Sequence, residues 1–129
     1  MNKKMMIIVF SVAIIAIVAF IAWSLSQQKK ETQPESGDFI TYYYGSSCSH
    51  CKKVAEFIST NDMDSKLSII KKEVTEKANK QNADEWVAKA KQCNLDEKEI
   101  GVPFLYKDGK CYMGDVDAID FLKKEAGMQ

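Results

Sequence analysis

At 129 residues and 46% hydrophobic content, the chain has material for one small domain and its core once any membrane segment is set aside. Its 18 Lys and 18 Asp or Glu cancel, which excludes the strongly basic face of a nucleic-acid binder. Every basic residue is Lys, so the bidentate guanidinium fork that recognises planar anions is absent as well.

In chain order, residues 5–25 carry no charge and are dominated by Ile, Val, Ala and Phe, a length that spans a bilayer. The run is longer than the apolar region of a typical cleavable signal peptide. A retained signal-anchor over 1–25 is therefore expected, with cleavage near Ala22 and Ser24 as the alternative. Lys3 and Lys4 favour a cytoplasmic N-terminus and an extracytoplasmic remainder, Lys29 and Lys30 oppose them, and Trp23 suits a membrane interface. Residues 26–37, polar with one Pro and one Gly, read as a linker, and the domain occupies 38–129.

Residues 39–44 are β-branched and aromatic and predict a strand, followed by Gly45, Ser46 and Ser47 as a turn and helix cap. A helix is expected from Cys48, with Cys51, Val54, Ala55 and Ile58 at helical spacing until Asn61 and Asp62 stop it. Residues 67–74 predict a second strand, in which Lys71, Lys72 and Glu73 read as solvated surface. Asn79 or Asn82 caps a longer helix with Ala83, Trp86, Val87, Ala90 and Cys93 on one face. Strands follow at 102–106 and 111–113, joined by a tight turn at Asp108 and Gly109. Asp115 or Asp117 then caps a last helix with Ala118, Ile119 and Leu122 inward and Gly127 at its end. The order is βαβαββα.

The chemistry sits in Cys48-Ser49-His50-Cys51, a CxxC at a strand-to-helix junction. A first Cys at a helix N-terminus receives unpaired backbone N–H groups and the positive dipole end, which stabilise its thiolate, and the second Cys closes the ring from one turn inside. His50, the single histidine, adds a donor and a positive charge beside that thiolate, or is a solvated side chain. The same spacing serves a zinc clamp or a structural disulfide, but structural zinc needs four ligands, and Cys93 and Cys111 lie on elements expected elsewhere. Those two either bridge, which would contribute about 3 kcal/mol, or remain buried thiols.

The βαβαββα order, the CxxC after the first strand and Gly101-Val102-Pro103 opening the third together resemble a glutaredoxin-sized member of the thioredoxin superfamily. The resemblance covers nearly all of 38–127. It implies a cis Pro103 against the redox pair and a Val102 backbone that pairs with substrate. Two departures stand out: thioredoxins carry a buried acid where this chain has Tyr42, and the glutaredoxin Gly-Gly-x-Asp turn is reduced to Gly114-Asp115, which reads more simply as a helix cap. Cys-Ser-His-Cys is similar to the Cys-Pro-His-Cys of the oxidising members, with Ser49 for the proline.

The expectation is a membrane-anchored, extracytoplasmic thiol–disulfide oxidoreductase acting on cysteines of exported proteins and recycled by a redox partner. Cys48, Cys51 and His50 are its catalytic candidates and Val102 and Pro103 its substrate-binding candidates. It needs no dissociable cofactor and no metal. The alternatives are a cytoplasmic glutaredoxin-like reductase, or a module whose two thiolates hold a soft ion such as Cu(I).

Overall fold

The computed structural model describes residues 2–26 and 37–129, and the chain divides into two units at Gly37 and Asp38. Most of the expected linker, 27–36, lies outside the described residues. In the first unit, α1 runs Lys3–Ser26, and its stretch Lys3–Trp23 has mean hydropathy 3.1, long and apolar enough to cross a membrane. Apolar side chains stand out on every side of it, a pattern that a helix within a soluble core does not need.

The second unit contains β1 (Phe39–Tyr44), α2 (Ser49–Thr60), a one-turn α3 (Met63–Lys66), β2 (Ser68–Glu73), a 3-10 turn (Lys77–Asn79) and α4 (Lys80–Gln92). β3 (Phe104–Lys107), β4 (Lys110–Met113) and α5 (Asp115–Glu125) follow. The sheet order is β2-β1-β3-β4, with β1 and β2 parallel and the other pairs antiparallel. Side chains alternate across the sheet. Ile40, Tyr42 and Leu105 point to one face, where Val54 and Ile58 of α2, Met63 of α3, and Ala118, Phe121 and Leu122 of α5 close over them. Tyr43, Phe104 and Tyr106 point to the other, against Ala90 and Trp86 of α4. Each such buried side chain contributes roughly 1.5–3 kcal/mol. A mixed four-stranded sheet with helices on both faces is compatible with a thioredoxin-like fold.

Several boundaries differ from expectation, each for a local reason. β3 starts at Phe104 and not at Val102, because Pro103 has no N–H for a ladder and its carbonyl accepts from Gly114 N–H at 2.9 Å. α3 replaces an expected loop: Asp62 takes a left-handed conformation (φ 51°) that reverses the chain, its carboxylate accepts from the Ser65 hydroxyl, and Met63 drops into the core. Ala55 is exposed on α2, and Lys89 is buried on α4 with its ammonium 4.6 Å from the centre of the Tyr106 ring. Asn79 stands at the N-cap of α4 but turns its amide to Glu73, and the cap position of α5 is Gly114, with Asp115 and Asp117 inside the first turn. Asp108 (φ 49°) and Gly109 (φ 77°) form the expected tight hairpin turn.

Candidate functional site

β1 delivers the chain to Gly45, where a side chain could not fit: a Cβ there would stand 2.7 Å from Cγ2 of Thr75. The turn that follows is held from below by Glu73, whose carboxylate accepts from the backbone N–H of Ser46 (3.3 Å), Thr75 (2.9 Å) and Glu76 (3.0 Å). It also accepts from the Thr75 hydroxyl and from the Asn79 amide. Burial works to raise the Glu73 carboxyl, but these donors overrule it and hold it down at about 2. The reading as solvated surface holds for the exposed Lys71 and is corrected for the half-buried Lys72 and Glu73. Glu73 anchors the loop, Lys72 pairs with Glu85 at 2.6 Å, and Lys71 pairs with Asp64 at 2.7 Å.

Cys48 itself is the N-cap of α2, displacing Ser46 and Ser47 from that role. Its sulfur accepts from the Cys51 backbone N–H at 3.1 Å and is bonded to Cys51 in a disulfide. The geometry follows from the CxxC spacing: a cap residue and the third helical residue meet across the first turn. Cys48 is half-buried, whereas Cys51 is 3% exposed. Sγ of Cys48 also lies 3.6 Å from the carbonyl oxygen of Val102, and the Val102–Pro103 peptide bond is cis. Four of the expected site residues, Cys48, Cys51, Val102 and Pro103, therefore converge at one end of the sheet. Cys93, at the C-cap of α4, and Cys111 of β4 form the second disulfide, so the four cysteines pair within the two sets.

His50, in the first turn of α2, points to α5, where its Nδ1 is 2.9 Å from Oδ1 of Asp115. The other carboxylate oxygen of Asp115 is 3.1 Å from Nζ of Lys53. Asp115 is 17% exposed against 61% for both partners. The Lys53 ammonium lowers the Asp115 carboxyl, burial opposes it, and His50 adds to the lowering. Asp115, expected from the sequence as a helix cap, thus stands against His50 and Lys53. The only signal that could have found it was its place in the Gly114-Asp115 remnant.

Behind the pair, the Tyr42 hydroxyl donates to the Cys51 carbonyl at 3.0 Å, and burial, with Tyr44 nearby, pushes its phenol well above the ordinary value. Tyr42 is therefore a neutral donor at physiological pH. A cleft of about 340 Å³ opens beside it, walled by Tyr44, Cys51, Lys52, Ala55 and Ile58. In comparisons with known protein families, curated proteins and solved structures, nothing matches this chain.

Proposed function

We propose that the chain is a thioredoxin-like thiol–disulfide oxidoreductase, tethered by α1 and facing the extracytoplasmic side, that exchanges disulfides with cysteines of exported proteins. The observation that carries this reading is the Cys48–Cys51 disulfide at the start of α2, with Cys48 capping the helix beside the Val102 carbonyl and the cis Pro103. A helix N-terminus stabilises a thiolate at Cys48, and partial exposure lets a partner sulfur reach it. Cys51, buried one turn in, resolves.

Each step conserves atoms and electrons. A substrate thiolate attacks the Cys48 sulfur, an intermolecular S–S bond forms, and Cys51 leaves as a thiolate. A second substrate thiolate then attacks the substrate sulfur of that mixed disulfide and releases Cys48. The substrate is oxidised by two electrons and the pair is reduced by two. The reverse sequence reduces a substrate disulfide, and a redox partner returns the pair to its starting state. His50 tunes Cys48, while the Val102 backbone and Pro103 position the substrate strand.

The test is the reduction potential of the pair in glutathione buffers, together with trapping of a mixed disulfide in Cys51→Ser. A potential near −270 mV marks a reductant and one near −120 mV a disulfide donor. Failure of the pair to equilibrate with glutathione, or of Cys51→Ser to trap any partner, would remove the reading.

A further inference from the structure

We propose that the cleft between α2 and β1 is a binding site for a small carboxylic acid with an apolar body, either aryl or short acyl. The body lies on Tyr42 and Tyr44, and the anionic head meets Lys52. Binding there does not depend on whether the Cys48–Cys51 pair exchanges disulfides.

The opening follows from how the sheet is covered. On the Tyr42 face, α2 is flanked on the β4 side by α5 and on the β2 side by the one-turn α3. A helix of 4 residues is about 6 Å long. It cannot roof the strand beyond it, and a cleft of about 340 Å³ remains. The floor is aromatic: Tyr42 and Tyr44 alternate onto the same face of β1, their ring centres 5.5 Å apart. The Tyr42 hydroxyl is already taken by the Cys51 carbonyl, so that ring offers the cleft an apolar surface.

One face of α2 forms the wall. Cys51 and Ile58 make its buried inner edge, Lys52 and Ser59 its exposed outer edge, and Ala55 stands between them at helical spacing from all four. Ala55 is therefore exposed despite its place in the apolar stripe, because it faces the cleft and not the core. A methyl group there leaves the space open. Across from it, strand register sets Lys71 beside Tyr42, and Asp64 holds Lys71 at 2.7 Å.

The charges around the cleft choose the head group. Lys52, Lys71 and Asp64 line it, and Asp64 is committed to Lys71. Lys52 has no ion-pair partner among the described residues, whereas the adjacent Lys53 pairs with Asp115. The unmet charge is positive, so it repels an ammonium ligand and attracts an acid. Small-molecule pockets span roughly 300–1,000 Å³, with apolar walls for affinity and a few polar groups for orientation. This cleft stands at the lower end of that range, which suits a small body with one charged head.

The test is titration of the full-length protein in an uncharged detergent with phenylpropionate, hexanoate and their neutral amides, followed in amide nitrogen–proton spectra. The resonances of Tyr42, Tyr44, Cys51 and Ala55 should move together and saturate with one constant, millimolar or tighter. Each acid should bind roughly fivefold more tightly than its amide, the worth of one partly exposed ion pair. Tighter binding of phenylpropionate marks an aryl ligand and of hexanoate an acyl one, both within the proposed class. Lys52→Gln should abolish the preference for acid over amide, and Lys53→Gln, which does not line the cleft, should keep it. Ala55→Leu fills the cleft from an exposed position and should weaken every ligand by about tenfold or more, with an unchanged urea midpoint showing that the domain still folds.

Absence of a saturable shift up to about 10 mM of either acid would overturn the proposal. So would amides bound as tightly as acids, shifts centred on other residues, or undiminished binding in Ala55→Leu. None of these outcomes touches the redox reading, which the glutathione equilibrium decides separately.

Discussion

The hydroxyl of Tyr42 donates to the carbonyl oxygen of Cys51, so the buried cysteine of the Cys48–Cys51 pair is pinned through its backbone by a residue on the central strand. A neutral hydrogen bond of this kind is worth about 1 kcal/mol net. Tyr42→Phe keeps the ring in the core and is expected to lower stability by about that amount in urea denaturation. Because the phenol is protonated, the pH dependence of Cys51 attack should not change. Loss of an inflection in single-turnover kinetics would instead make Tyr42 a proton acceptor.

Cys48 is half-buried and Cys51 is 3% exposed, so their thiols should differ sharply once reduced. We expect Cys51→Ser to be alkylated rapidly at neutral pH, with a midpoint below that of an ordinary thiol, and Cys48→Ser to react slowly. Greater reactivity at Cys51 would reverse the assigned roles.

Glu73 gives the fold a defined acid sensitivity. Its carboxyl lies at about 2 in the folded protein against an ordinary 4.5, so its contribution is complete above 4.5 and is lost as pH falls from there toward about 2. Urea midpoints measured through that window should fall more steeply for the native protein than for Glu73→Gln. Parallel curves would show that its five donors do not favour the ionised form.

The Cys93–Cys111 disulfide closes a loop of sequence separation 18 and lies outside the redox pair. Replacing both residues by Ser should cost about 3 kcal/mol in denaturant unfolding, with the Cys48–Cys51 potential unmoved. A changed potential would couple the two disulfides.

Orientation of the domain rests on opposed lysines and is checked in cells. Ser36→Cys should be labelled in intact cells by a membrane-impermeant thiol reagent, above the native background. Labelling only after lysis would place the domain in the cytoplasm, as a membrane-bound glutaredoxin-like reductase would be.

What was legible in the sequence was whatever is written locally. The CxxC after an aromatic strand, the Asp108-Gly109 turn and the apolar stripes of α2 and α5 depend on neighbours within a few residues, and each lies where expected except for the exposed Ala55. Asp115 and Glu73 were not legible because their work is done at a distance. His50 and Asp115 are 65 residues apart, and Glu73 serves the Ser46 amide 27 residues away, through backbone N–H groups that no side-chain pattern advertises. Lys89 was hidden for another reason: periodicity assigns a lysine to solvent, yet its stem can lie against the Tyr106 ring.

β1 is hydrogen-bonded on both sides, and its four middle residues are all buried. Local openings begin where strands and helices are covered on one side only. Shedding α5 would carry Asp115 away from His50 while the Cys48 turn stays suspended from β1 and β4 stays tied to α4 through Cys93–Cys111. The two parts of the site therefore belong to different strata of the native ensemble. The Cys48–Cys51 disulfide would persist in partly opened forms that have already released the carboxylate beside His50.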